Sequence, residues 1–313
     1  MTPQVQTQEP RGPVVERVVP FTPTKVDLCE DNYIITGSLG ELAKLTQDGK
    51  LIEEYSIPFP SSITHSTTLG DFWIGIWVEA EMRLARMSSL NFKNSWENGP
   101  SRSELRTSSD PMSLHPRNTV WSHALDSEPT CITGIGDDFC FVLRGKGIYR
   151  MDKHANEVWR SNLPSTIDGN LRGSETAISI SQSDDFLSIW YDNGLVVDIS
   201  TDTGIEIDRR RLPVSDRIER VFHSENFHLL ALSEQGFLIA NGEEILQSHK
   251  TPGPLFAARY RNGHWEFTGW RFDGTLGNYD LKIHSRKQLG IGFVADRVLT
   301  NDGTLCDFAI THS

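Results

Sequence analysis

The chain has 313 residues, of which 37% are apolar and 23% charged, and a formal net charge of −12. That length allows a large buried core and one to three domains, while the acidic balance disfavours bulk binding to nucleic acid or to an anionic membrane surface. No apolar run approaches the about 18 residues expected of a membrane-spanning helix.

In chain order, residues 1–12, within "MTPQVQTQEPRGP", read as a disordered arm rich in Gln and Pro, without the apolar stretch of a signal peptide. "VVERVVPF" (Val14 to Phe21) reads as a strand. From Thr24 come four alternating runs, "TKVDLCE", "YIITGSL", "ELAKLTQ" and "KLIEEYSI", separated by turns containing Gly and Asp. Val, Ile, Phe, Tyr, Trp and Thr fill such runs, and no long helical period intervenes. A second set starts near Ser61. A third starts at Pro129, with "PTCITGI", "FCFVLRG", "GIYRMDK" and "EVWRSNL". Further sets start near Ser174, Arg217, Pro254 and Ile291. Tyr33, Phe72, Phe139, Phe186 and Phe227 open corresponding strands and mostly recur about every 40 residues, the period of propeller blades. The one long interval, Phe72 to Phe139, exceeds that period by about 25–30 residues, and Leu90–Asn118, rich in Ser, Pro, Asn and Gly, accounts for it.

One such sheet cannot bury both of its faces alone, whereas sheets packed radially around an axis can. The reading is all-β: a single seven-bladed β-propeller domain over residues 13–313, with four-stranded antiparallel blades and an inserted loop at 90–118. The last set is compact, so six blades also fit, and a stack of two-sheet sandwiches is the further alternative. Because "LTNDGTLCDFAIT" (Leu299 to Thr311) stops short of an outer strand, "VVERVVPF" is expected to supply it and close the ring.

"GIYRMDKHANEVW" (Gly147 to Trp159) and "GLVVDISTDTG" (Gly194 to Gly204) resemble the repeat of quinoprotein-type (PQQ-like) propellers. That repeat runs Gly, apolar, Tyr or Val, Ala, Leu, Asp, then a turn with Gly, then Trp. WD40-like propellers are a sister resemblance, although no Gly-His and Trp-Asp pair recurs here. The resemblance implies the fold. Enzymes of the quinoprotein group use a pyrroloquinoline cofactor, a calcium site and periplasmic export. This sequence has no signal peptide, no adjacent cysteine pair and no cofactor constellation, so neither cofactor nor metal is expected. The non-enzymatic members are binding scaffolds, and the resemblance therefore implies a protein-interaction role.

Candidate sites follow from chemistry and position. Cys29, Cys131, Cys140 and Cys306 are too few and scattered for a disulfide framework. They read as free thiols, mostly buried, in a reducing, cytoplasmic setting, with a Cys131–Cys140 hairpin bridge as the alternative. His65 and His223 fall on presumed inner strands, where residues distant in sequence converge on a channel; a structural role is the competing reading. His154 sits where the first blade has Asp48, at a turn. Asp137-Asp138 and Asp184-Asp185 recur at one turn of successive blades, which favours local backbone hydrogen bonding over paired-carboxylate catalysis. "RRRLP" (Arg209 to Pro213) reads as edge charge against strand pairing, or as a contact for an acidic partner or phosphate. Trp73 and Trp77 share one strand face with Gly75 between them, and Trp159 and Trp190 are expected to pack between blades.

The inserted loop is the strongest functional candidate, because loops on rigid scaffolds carry binding work. Phe92 and Trp96 are its apolar anchors, with Arg102, Arg106 and Arg117 beside them, a composition suited to a protein contact. A disordered spacer is the alternative. Two functions follow. One is a non-catalytic scaffold whose partner protein docks on a propeller face or on the 90–118 loop. The other is a propeller hydrolase or lyase with a site at the channel mouth built from residues such as His65 and His223.

Overall fold

A computed structural model describes residues 16–82, 84–164, 175–183, 185–224, 227–277 and 279–309. The arm at 1–12 lies outside the described residues, as do Asp184 and the start of the fourth set at Ser174. Seven antiparallel sheets form, and seven first strands (Pro23–Cys29, Ser62–Leu69, Pro129–Ile135, Ala177–Gln182, Ile218–His223, Leu255–Arg261 and Gly290–Val294) begin within three residues of the expected blade starts. Each first strand contacts the next, and the last contacts the first, so these strands surround the axis of a closed ring. The molecule is a seven-bladed β-propeller, which removes the six-blade and sandwich alternatives.

Each inner strand carries a register shift near its start, leaving one extra residue: Thr24, Thr64, Thr130, Ile178, Glu219, Phe256 and Ile291. A bulge bends a strand and increases its twist. Repeated at one position in every blade, it turns each inner strand in the same way at the same end of the channel.

The cores lie between neighbouring blades. Cys131, Ile135 and Trp159 of blade three meet Ile189, Val197 and Ile199 of blade four, for example. The seam between blades six and seven relies more on charge. Asp273, fully buried, holds Arg286 at 2.8 Å and accepts the Ala309 amide at 3.0 Å. Arg259 pairs with buried Glu266 at 2.7 Å and lies over the Phe293 ring of blade seven. Blade seven is completed by Glu16–Arg17 pairing antiparallel with Leu305 and Thr304, as the missing outer strand predicted. Val18, Val19 and Phe21 then enter the core between blades seven and one.

Blade one departs from expectation. "KLIEEYSI" does not form a fourth strand. Only isolated bridges, Leu45 with Leu51 and Leu42 with Ser56, attach it, and the sheet has three strands. The physical reason is the insertion. It leaves the third strand of blade two at Asn91, crosses to the outer edge of blade one and returns to form the outer strand Trp121–Leu125 of blade two. The Ile57 amide donates to Asn98 Oδ1 at 2.7 Å, and Ile57 and Pro58 carbonyls accept the Gly99 and Arg117 amides at 2.9 and 3.0 Å. The insertion thus supplies the backbone partners that a regular strand would have found within its blade.

Candidate functional site

Within the insertion, Ser101 and Glu104 form a capping box, each side chain accepting the other's backbone N–H, and this starts the helix Arg102–Thr107. Leu105 of that helix is buried with Trp96 and the blade-two tryptophans. Trp96 is only 6% exposed, donates its indole N–H to the Asn91 carbonyl at 2.9 Å, and meets Trp73 at 6.1 Å and Phe92 at 6.5 Å between ring centroids. Lys44 of blade one lies over the Trp96 ring at 4.3 Å and over Phe92 at 5.3 Å, donates to the Asn94 carbonyl at 2.6 Å and pairs with Glu53 at 2.7 Å. Both aromatics expected as partner anchors thus pack against the chain itself, Trp96 buried and Phe92 partly so. They anchor the insertion to its own scaffold, because an indole beside an apolar cluster gains more by burial there than by waiting in water. A disordered spacer is likewise not what the described residues form.

The three arginines stay outside that core. Arg106 pairs with Glu81 at 2.9 Å and Arg117 with Glu97 at 3.5 Å, both exposed pairs. Arg102 has no ion-pair partner among the described residues. It borders a groove of about 540 Å³ between blade one and the insertion, lined also by Leu39, Tyr55, Ile57, Pro60 and Pro100. Leu39 and Tyr55 are exposed there. Sequence reasoning missed this groove, since its walls come from blade one and from an insertion that follows the third strand of blade two. The Ser-x-x-Glu spacing at Ser101–Glu104 was the available signal for the helix at its edge.

The channel histidines do not come together. His65, half-buried on the inner strand of blade two, bonds Thr64 at 3.1 Å; burial, then the nearby Lys25 cation, lowers its pKa to about 4. His223 ends the inner strand of blade five. Its Nδ1 lies 3.0 Å from His228 Nδ1 and its Nε2 3.0 Å from Ser179 Oγ of blade four. Burial, then His228, lowers the His223 pKa to about 3, and burial followed by Arg210 lowers that of His228 to about 4. Trp190 packs on this pair and donates to Ser181 at 2.9 Å. The imidazoles are neutral at pH 7 and serve as polar packing between two blades. Among the described residues no three His, Cys, Asp or Glu side chains form a metal-binding group.

The remaining candidates are engaged structurally. Asp138 pairs with Arg150 at 2.7 Å, which reaches the Thr201 carbonyl of blade four at 2.7 Å, and Asp137 pairs with Lys153 at 3.3 Å. Arg209, Arg210 and Arg211 each face a carboxylate, those of Glu206, Asp198 and Glu175. Cys131 and Cys140 are separate buried thiols, and burial raises Cys131 to about 12 and Cys140 further, leaving both unreactive.

No family model matches the sequence, and no curated protein matches it. Solved structures are similar in fold. The β-propeller domain of Cps50 (Swd1) from Myceliophteria thermophila aligns with a TM-score of 0.67 at 10% identity, covering 96% of this chain and 100% of that one. BamB from Moraxella catarrhalis gives 0.61 at 13% identity, covering 96% and 99%. YCF48 from Cyanidioschyzon merolae gives 0.60 at 13%, covering 94% and 98%. At such identities the likeness concerns architecture alone: the chain is a seven-bladed β-propeller similar to both a PQQ-like propeller, BamB, and a WD40 propeller, Swd1.

Proposed function

We propose that this protein is a non-catalytic scaffold that binds a partner protein through the propeller end bearing the insertion. The observation that carries the reading is the groove between blade one and residues 98–102, where exposed Leu39 and Tyr55 face an unpaired Arg102. Apolar and aromatic contacts beside an arginine are the composition of protein-binding hot spots. The insertion that forms the groove is held rigidly by Lys44, Trp96 and Leu105, so little ordering entropy is lost on docking. Its thiols, free in all four cases, suit a reducing, cytoplasmic setting.

Deleting the insertion would strip the cover from blade one, so point variants make the cleaner test. Quantitative affinity purification is done from the source cells with the wild-type chain and with Tyr55→Ala/Arg102→Glu. A partner depleted at least about tenfold by the double variant, at unchanged thermal stability, supports the groove. An identical partner set for both chains removes the groove from the reading.

A further inference from the structure

Turns between second and third strands, and connections from an outer strand to the next blade, lie at the end of the ring where the inner strands begin. Trp270 and Arg271 form such a turn in blade six, and Lys250 and Lys287 lie on the connections leaving blades five and six. Arg220 directly follows the bulge at the start of the inner strand of blade five. All lie at the end that carries the groove, but four or five blades further along the chain.

These residues share one end of blades five and six. Arg220 is exposed although it lies on an innermost strand, and its guanidinium sits 5.9 Å from the Phe256 ring of blade six. Phe256 continues through Pro254 to Trp270, whose amide donates to the Pro254 carbonyl at 2.9 Å. Trp270 is 49% exposed and rests on Gly253, where a Cβ would come within 2.7 Å of it. Arg271 follows at φ +59°, a left-handed conformation costly for any residue with a Cβ.

Charge marks the surface out. Several other cations at this end are matched, Arg106 with Glu81, Arg144 with Glu128, Lys146 with Asp126, Arg211 with Glu175 and Arg217 with Asp192, while Arg102 at the groove is not. Arg220, Lys250, Arg271 and Lys287 have no ion pair or hydrogen bond from their side chains among the described residues. Neighbouring carboxylates are already engaged, Asp273 by Arg286 and Asp216 by Ser233 and the Glu234 amide. Glu219, exposed on the bulge beside Arg220, and Glu234, exposed in the next turn of blade five, form no ion pair among the described residues. A chain of net charge −12 thus gathers four unpaired cations and two aromatics at this end of blades five and six, against three carboxylates without an ion pair there, Asp216, Glu219 and Glu234.

We propose that this channel mouth docks an acidic segment of a partner protein, with Trp270 and Phe256 making the apolar contacts and Arg220, Lys250, Arg271 and Lys287 matching its carboxylates. The proposal rests on the scaffold reading and assigns it a second surface, distinct from the groove. Unpaired cations near a half-exposed indole favour fast, salt-sensitive capture.

The test uses the full chain and a phage-displayed library of random 12-residue peptides. Selection is followed by affinity measurement against the wild type, Arg220→Glu/Arg271→Glu, Arg271→Gly and Arg102→Glu. Selected peptides are expected to carry several Asp or Glu residues next to an aromatic or proline. They are expected to bind about tenfold or more weakly to the double charge reversal, and to be indifferent to Arg102→Glu. Arg271→Gly relieves the left-handed strain, so weaker binding by that variant cannot be ascribed to misfolding. Peptides without acidic residues, peptides insensitive to Arg220→Glu/Arg271→Glu, or no enrichment overturn the proposal. Peptides sensitive only to Arg102→Glu also overturn it, while supporting the groove.

Discussion

Gly75 illustrates how single residues set this fold. It lies between Trp73 and Trp77, whose rings meet at 5.6 Å and 81°, and a Cβ there would run into the Trp73 ring. Gly75→Ala is expected to cost about 2 kcal/mol, read as a lowered urea midpoint. The even spacing of the two tryptophans made their shared face legible in the sequence. Nothing comparable marked Trp96, because its neighbours Lys44 and Trp73 belong to two different blades. The neutral histidines carry a pH prediction. The unfolded chain takes up protons on His65, His223 and His228 near pH 6.5, whereas the folded imidazoles, at about 4, 3 and 4, resist them. The unfolded state then binds more protons in this range. The stability from these groups is full above about pH 6.5 and falls as pH drops towards 4. Between pH 7 and pH 5 the loss should total about 2 kcal/mol or more, and His223→Asn/His228→Asn should flatten the slope in urea titrations at the two pH values.

At the scale of elements, the repeat made the blades legible and its interruption concealed a structure. Alternation, turn residues and the period of aromatics located seven inner strands, since each unit repeats the same local chemistry. Blade one misled because "KLIEEYSI" alternates like a strand, yet its edge is taken by chain that lies later in the sequence. Lys44 secures that arrangement. Lys44→Met keeps the aliphatic contact with Trp96 but leaves Glu53 without its cation, and should cost about 2 kcal/mol. Limited proteolysis is the sharper readout, with new cleavage expected between residues 94 and 118 before any in the blades. Arg86 clamps the far side. It is buried against the Phe59 ring and donates to the Pro111 carbonyl, so Arg86→Ala should open the same segment from its other end.

The whole molecule is a ring with two kinds of seam. Most blades meet through aliphatic and aromatic cores, while blade six reaches blade seven largely through polar contacts: Arg261 with Asp296, Arg259 with the Ala295 carbonyl, Arg286 with the Asp307 carbonyl and the Ala309 amide with Asp273. Raised salt should therefore loosen this seam more than the others, because the Arg261–Asp296 pair that crosses it is open to solvent. Hydrogen exchange of residues 290–307 at 0.1 M and 1 M salt checks that expectation. The closing strand gives a further prediction. A chain starting at Pro20 loses buried Val18 and Val19 together with the pairing to Leu305, and should be about 3 kcal/mol less stable than one starting at Glu16. The same pairing has a consequence for biosynthesis. Glu16 and Arg17 leave the ribosome long before Thr304 and Leu305. Blades one to six have time to assemble in succession while that first segment waits without a mate. Contacts so distant along the chain form slowly. Joining is thus expected to be the rate-setting event of ring closure, and a circular permutant with its ends moved to another blade boundary should shift that delay to a different seam.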